Sequence, residues 1–124
     1  MSKILLVTPH QSHFSGILAT IEASGAQVIW AASGAEALEQ VRLQSVDLVL
    51  ADEALGDMTG LALVEKIVAI NALINCALVS SLSEKAYHDA SEGLGILMRM
   101  PPSSQKEDGE RLMAHFNQIL GFTK

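Results

Sequence analysis

Short apolar runs alternate with stretches whose apolar residues recur every three or four positions, and the alternation holds along the whole chain. Lys3-Ile-Leu-Leu-Val7 has no polar side, stops at Pro9 and predicts a buried strand. Phe14, Ile17, Leu18 and Ile21 then share one helical stripe between Ser12, a candidate N-cap, and Gly25, a C-terminal stop. Residues 26–30, 46–51, 76–80 and 96–100 predict four more strands, the last ended by Pro101-Pro102. Between them, Ser33-Gly-Ala-Glu36 is a capping box that opens a helix with Ala37, Leu38 and Val41 inward. Thr59 or Gly60 opens the next, with Leu61, Leu63, Val64, Ile67 and Val68. Ser81-Leu-Ser-Glu84 is a second capping box, and its helix reaches Glu92 before Gly93 and Gly95. A polar linker over 101–109 leads into a last helix, from about 106 to 120, presenting Leu112, Met113, Phe116, Ile119 and Leu120.

Strict strand–helix alternation predicts a parallel sheet covered by helices on both faces. With five strands, the expected architecture is α/β: a flavodoxin-like (βα)5 three-layer sandwich of strand order 2-1-3-4-5, with its crevice beside strands one and three. That order brings the ends of strands one, three, four and five to one rim. The rim residues are Thr8-Pro9-His10, Asp52, Ser80-Ser81 and Met100-Pro101.

Composition narrows the class further. The 124 residues suit a single domain, 1–124, and are 49% hydrophobic with a mean hydropathy of +0.31, as expected for strands apolar on both sides. No apolar run approaches the ~20 residues of a membrane span, and the N-terminal run is too short for a signal-peptide core. A single cysteine, Cys76, rules out an internal disulfide framework and fits a reducing cytoplasm. The net charge of −6, with basic residues scattered singly, leaves no footprint for nucleic acid. The expectation is a cytoplasmic protein that binds neither membrane nor nucleic acid.

Residues 47–60, Asp-Leu-Val-Leu-Ala-Asp-Glu-Ala-Leu-Gly-Asp-Met-Thr-Gly, carry the candidate chemistry. The apolar run delivers Asp52 to the strand's carboxyl end; the other reading is a loop acid capping the next turn. Asp47-Leu-Val-Leu-Ala-Asp52 with Leu55-Gly56-Asp57-Met58-Thr59-Gly60 resembles the "DLVLxD…MPxMDG" segment of bacterial response regulator receiver domains. Ala32-Ser-Gly-Ala-Glu-Ala-Leu38 resembles the same family's entry to the second helix. Leu78-Val-Ser80-Ser81 falls on its strand-four hydroxyl segment, and Gly93 to Pro101 on its "GA…[YF]xxKP" segment.

The resemblance implies phosphoryl transfer in two-component signalling, with Asp52 as the phosphoacceptor. It also implies an acidic pair on strand one that holds Mg2+ with Asp52, a strand-five lysine, a strand-four hydroxyl and a strand-five aromatic. This chain keeps Asp52 and has Ser80 as the hydroxyl. The acidic pair is Thr8-Pro9, the lysine position is Met100 and the aromatic position is Leu97; Gly56 and Thr59 replace the loop's usual proline and acid. One carboxylate without a positioned cation is a poor Mg2+ site, since Mg2+ dehydrates reluctantly. Neither a metal nor another cofactor is expected.

Replacements for the missing groups are few. His10 follows the lost pair and could reach over Asp52, or could be an exposed histidine at a helix start. Glu53 and Asp57 could rebuild a metal site, although their spacing suits a solvated turn, and Arg99 is one residue off the lysine position and should face the other layer. His13, His88 and His115 share no metal-ligand spacing with Cys76. Ser80-Ser81 lacks the G-x-S-x-G elbow of a hydrolase. The expectation is a stand-alone receiver with a degenerate pocket, not an enzyme, since no output domain fits after Leu120. It would act through protein partners such as a histidine kinase, or as a homodimer through the surface of helix four, strand five and helix five. Two alternatives stay open: a receiver still phosphorylated on Asp52 by a partner kinase, and a flavodoxin-like binder of a small phosphate-bearing ligand at the 8–16 loop, where Thr8, Ser12 and Ser15 stand.

Overall fold

The apolar runs without a polar side become the centre of the sheet. β1 (Lys3–Val7), β3 (Leu48–Ala51) and β4 (Asn75–Val79) are almost wholly buried, whereas β2 (Gln27–Ala31) and β5 (Met98–Met100) are half-exposed. The computed structural model describes residues 2–102 and 105–123. All strand pairs are parallel, and the order β2-β1-β3-β4-β5 is the one the alternation predicts.

Side chains alternate across the sheet and divide the core in two. Ile4, Leu6, Leu48, Leu50, Ala77, Val79 and Met100 pack with Ile17 and Ile21 of α1 (Ser15–Ala23) and with Leu112, Met113 and Phe116 of α5 (Lys106–Thr123). Leu5, Val7, Val49, Ala51, Cys76 and Leu78 pack on the other face. Their partners there are Ala37 and Val41 of α2 (Gly34–Leu43) and Leu63, Val64 and Ile67 of α3 (Gly60–Ile70). α4 (Glu84–Ser91) completes that layer with no buried residue. The expected inward placement of Leu120, and residues 103 and 104 of the polar linker, lie outside the described side chains.

Local capping follows the sequence in two of four cases. The Ser33 hydroxyl accepts from the Glu36 amide at 3.2 Å, and the Glu36 carboxylate accepts from the Ala32 amide at 2.6 Å. Thr59 caps α3 by accepting from the Ala62 amide at 3.1 Å. Ser12, by contrast, lies in a 3-10 turn over Gln11–Phe14, and α1 begins only at Ser15. The tighter turn brings Phe14 into the core. α4 is capped by Ser83 and not by Ser81, because Ser81 is bound to Glu53 across the rim. The fifth ladder is shorter than expected, since Gly93 and Gly95 adopt positive φ just before it.

One glycine sets how close α3 stands to the rim. A Cβ on Gly60 would lie 2.2 Å from the Asp52 carbonyl oxygen and 2.7 Å from Leu78 Cδ1. Only glycine lets the helix start directly against the end of β3.

Candidate functional site

Parallel strands end together, so Thr8 after β1, Asp52 after β3 and Ser80 after β4 lie along one rim. Val7 is paired with Ala51, and the Asp52 amide donates to the Val7 carbonyl at 2.8 Å. The next residue of each strand is therefore a neighbour of the other. Thr8 is fully buried, and its Oγ1 donates to Asp52 Oδ2 at 2.7 Å. The same hydroxyl accepts from the His10 amide at 3.0 Å. Asp52 Oδ1 accepts from the Glu53 amide at 2.7 Å. Both carboxylate oxygens thus have protein donors.

The loop after Asp52 is fastened at two further points. The Glu53 carboxylate accepts from the Ser81 hydroxyl at 2.8 Å and from the Ser81 amide, tying the β3 loop to the β4 loop. Asp57 reaches the other way: Oδ1 accepts from the Gly34 amide and Oδ2 from the Ala35 amide, each at 3.0 Å. A carboxylate on a helix N-terminus satisfies two orphan donors and meets the positive end of the dipole. These amides, Gly34 first, hold the Asp57 carboxyl below its ordinary range. Met58 closes the same junction, since a Cβ on Gly34 would lie 2.5 Å from its sulfur.

The other sequence candidates take these places. Pro9 and His10 are exposed, and the His10 ring stands 5.0 Å from the His13 ring, tilted by 33°. Its backbone, not its imidazole, is what touches the Thr8–Asp52 pair. Ser80 is buried; its amide donates to the Met100 carbonyl at 3.1 Å, and its hydroxyl accepts from the Leu82 amide at 3.2 Å. Met100 is fully buried in the α1/α5 side of the core, and Leu97 is half-buried against the same side. Arg99 faces the other layer, with its guanidinium 5.5 Å from the centre of the Tyr87 ring of α4. Among the described residues, no group of three His, Cys, Asp or Glu side chains is placed to hold a metal ion.

Trp30 is a contributor that sequence reasoning missed. Its indole N–H donates to the Thr8 carbonyl at 2.9 Å, while 47% of the residue stays exposed. A lone tryptophan near the end of a strand was the available signal.

The response regulator receiver domain profile matches residues 4–98. The chain belongs to the response regulator receiver family. This receiver is 39% identical over 80 residues to the transcriptional regulatory protein ZraR of Escherichia coli K12, a match covering 64% of this chain and 18% of that protein. ZraR of Salmonella typhimurium is 36% identical over 80 residues, with the same coverage. The matched part thus spans under a fifth of these curated relatives. A CheY-like receiver from Methanospirillum hungatei superposes with a TM-score of 0.82 at 21% identity, over 95% of each chain. CheY4 of Vibrio cholerae gives 0.82 at 19% identity, over 94% of this chain and 98% of its own. At such identities the structural likeness speaks for the fold. The family places the receiver in two-component signalling.

Proposed function

We propose that this receiver signals through contact with protein partners and is not switched by efficient Mg2+-dependent phosphorylation of Asp52. The observation that carries the reading is the internal use of the aspartate: Thr8 and Glu53 donate to its two oxygens. The surrounding donor set does not suit Mg2+, which wants near-octahedral oxygen ligation. Pro9 has no side-chain ligand, the Glu53 carboxylate is tied to Ser81, and that of Asp57 caps α2. Among the described residues, neither Met100, which is in the core, nor Arg99, which is stacked on Tyr87, supplies the cation of the family's lysine. Loss of one positioned electrostatic group typically costs ~10²–10³-fold in rate. On this reading the domain is not itself an enzyme.

The partner surface in this reading is the one formed by α4, β5 and α5, where Tyr87 and Arg99 stand together. A cytoplasmic location belongs to the same proposal; among the described residues, no helix is long and apolar enough to cross a membrane. Acetyl phosphate with Mg2+ tests it. Intact mass should show no stoichiometric phosphoryl adduct, whereas a full adduct absent from Asp52→Ala would overturn the reading. A second reading, phosphorylation by a dedicated histidine kinase, rests on Asp52 remaining half-exposed at the rim, and the same mass measurement with that kinase decides it.

A further inference from the structure

α4 lies over the sheet without a buried side chain of its own, and its first turn is held by the Ser83 cap. Below it, beside α3 and the end of β4, lies a cavity of about 290 Å3. Its walls are apolar where Leu61, Leu78, Leu82, Tyr87 and Ala90 line it. At the rim end the lining turns polar, and among the described residues Glu53 is the one charged residue on it.

We propose that this cavity is a binding site for a small organic cation, with an aromatic or branched aliphatic body between α3 and α4 and its ammonium on Glu53. Three features select that chemistry. Water in an apolar cavity finds few partners, so an apolar body replaces it favourably. The volume is at the small end of the ~300–1,000 Å3 usual for ligand pockets, which limits the occupant to a fragment-sized molecule. The Glu53 carboxylate favours a cation and opposes an anion. Ser81 occupies part of its acceptor capacity, and an ionised carboxylate has about four lone-pair sites, so room remains for an N–H donor.

The site is joined to the pocket acid by one peptide. The Glu53 amide donates to Asp52 Oδ1, and Glu53 is one of the residues that line the cavity. An occupant on Glu53 adds a donor to the carboxylate that links the β3 and β4 loops through Ser81. The proposal does not depend on whether Asp52 is phosphorylated.

Amide NMR titration of the whole chain, with three probes of matched shape, tests it at neutral pH: 2-phenylethylammonium, 2-phenylethanol and 3-phenylpropionate. The ammonium should give saturating shifts at Leu61, Leu82, Tyr87 and Ala90 and bind about tenfold tighter than the alcohol, the margin expected of a charge-assisted hydrogen bond. The carboxylate should bind weakest. Glu53→Gln should reduce the ammonium to the alcohol's affinity, and Leu61→Phe, which fills the cavity, should abolish binding of both. Absence of saturable binding, equal affinity for the three probes, or shifts unchanged in Leu61→Phe would each overturn the proposal.

Discussion

Thr8 Oγ1 donates to Asp52 Oδ2 at 2.7 Å, and the two residues stand one position beyond the paired Val7 and Ala51. The rim of this receiver is therefore closed on itself at Asp52.

Thr8→Val tests how much that bond holds the rim together. The shapes match, so the change removes a donor from Asp52 and an acceptor from the His10 amide. Asp52 is half-exposed and His10 exposed, so water replaces the lost partner and the cost is that of an ordinary hydrogen bond, about 0.5–1.5 kcal/mol. Urea unfolding should show that loss for Thr8→Val and a smaller one for Thr8→Ser, which keeps the hydroxyl. Equal stability of Thr8→Val and the parent would show that the bond contributes nothing.

Asp57 gives the stability a defined acid dependence. Its folded carboxyl is held below the ordinary value of 3.8, chiefly by the Gly34 and Ala35 amides. A lowered folded pKa means that the unfolded chain takes up the proton first. The stabilisation is therefore complete above 3.8 and is lost as pH falls through the folded value. Asp57→Asn should remove this part of the acid sensitivity, read as urea midpoints that converge with the parent's as pH is lowered. Parallel curves for the two proteins would contradict the assignment.

Much of this architecture was legible because it is periodic or local. The apolar runs and helical stripes predicted the strand order, and the Ser33–Glu36 and Thr59 caps lie within a few residues of their partners. The neighbourhood of Thr8 and Asp52 followed from the adjacency of strands one and three. Other features depend on contacts that no period encodes. Asp57 finds the amides of α2 from 22 and 23 residues away, Trp30 finds the Thr8 carbonyl across 22, and Glu53 takes Ser81 across 28. The last of these explains why the capping box at Ser81 failed: its hydroxyl had a partner outside its own helix.

Cys76 separates a buried thiol from a reactive one. Desolvation pushes it up to about 12, so almost none is thiolate at neutral pH. Iodoacetamide should leave the folded protein unlabelled and modify it only after unfolding in urea. Labelling of the native protein at the rate of a free thiol would mean that β4 opens readily.

Met100 is fully buried among the residues facing α1 and α5. A lysine there must either desolvate its ammonium or drag the end of β5 out of the core. Met100→Lys should therefore cost about 3 kcal/mol or more in urea unfolding, while Met100→Leu, which conserves apolar volume, should cost less than about 1.5 kcal/mol. The same geometry argues that the single lysine will not restore phosphorylation, because Thr8 and Glu53 still occupy the oxygens of Asp52. A Met100→Lys protein as stable as the parent, with a phosphoryl adduct from acetyl phosphate, would show that position 100 can turn to the rim. Retained parental stability without an adduct would overturn the predicted cost and leave the obstacle at Thr8 and Glu53, which still donate to Asp52.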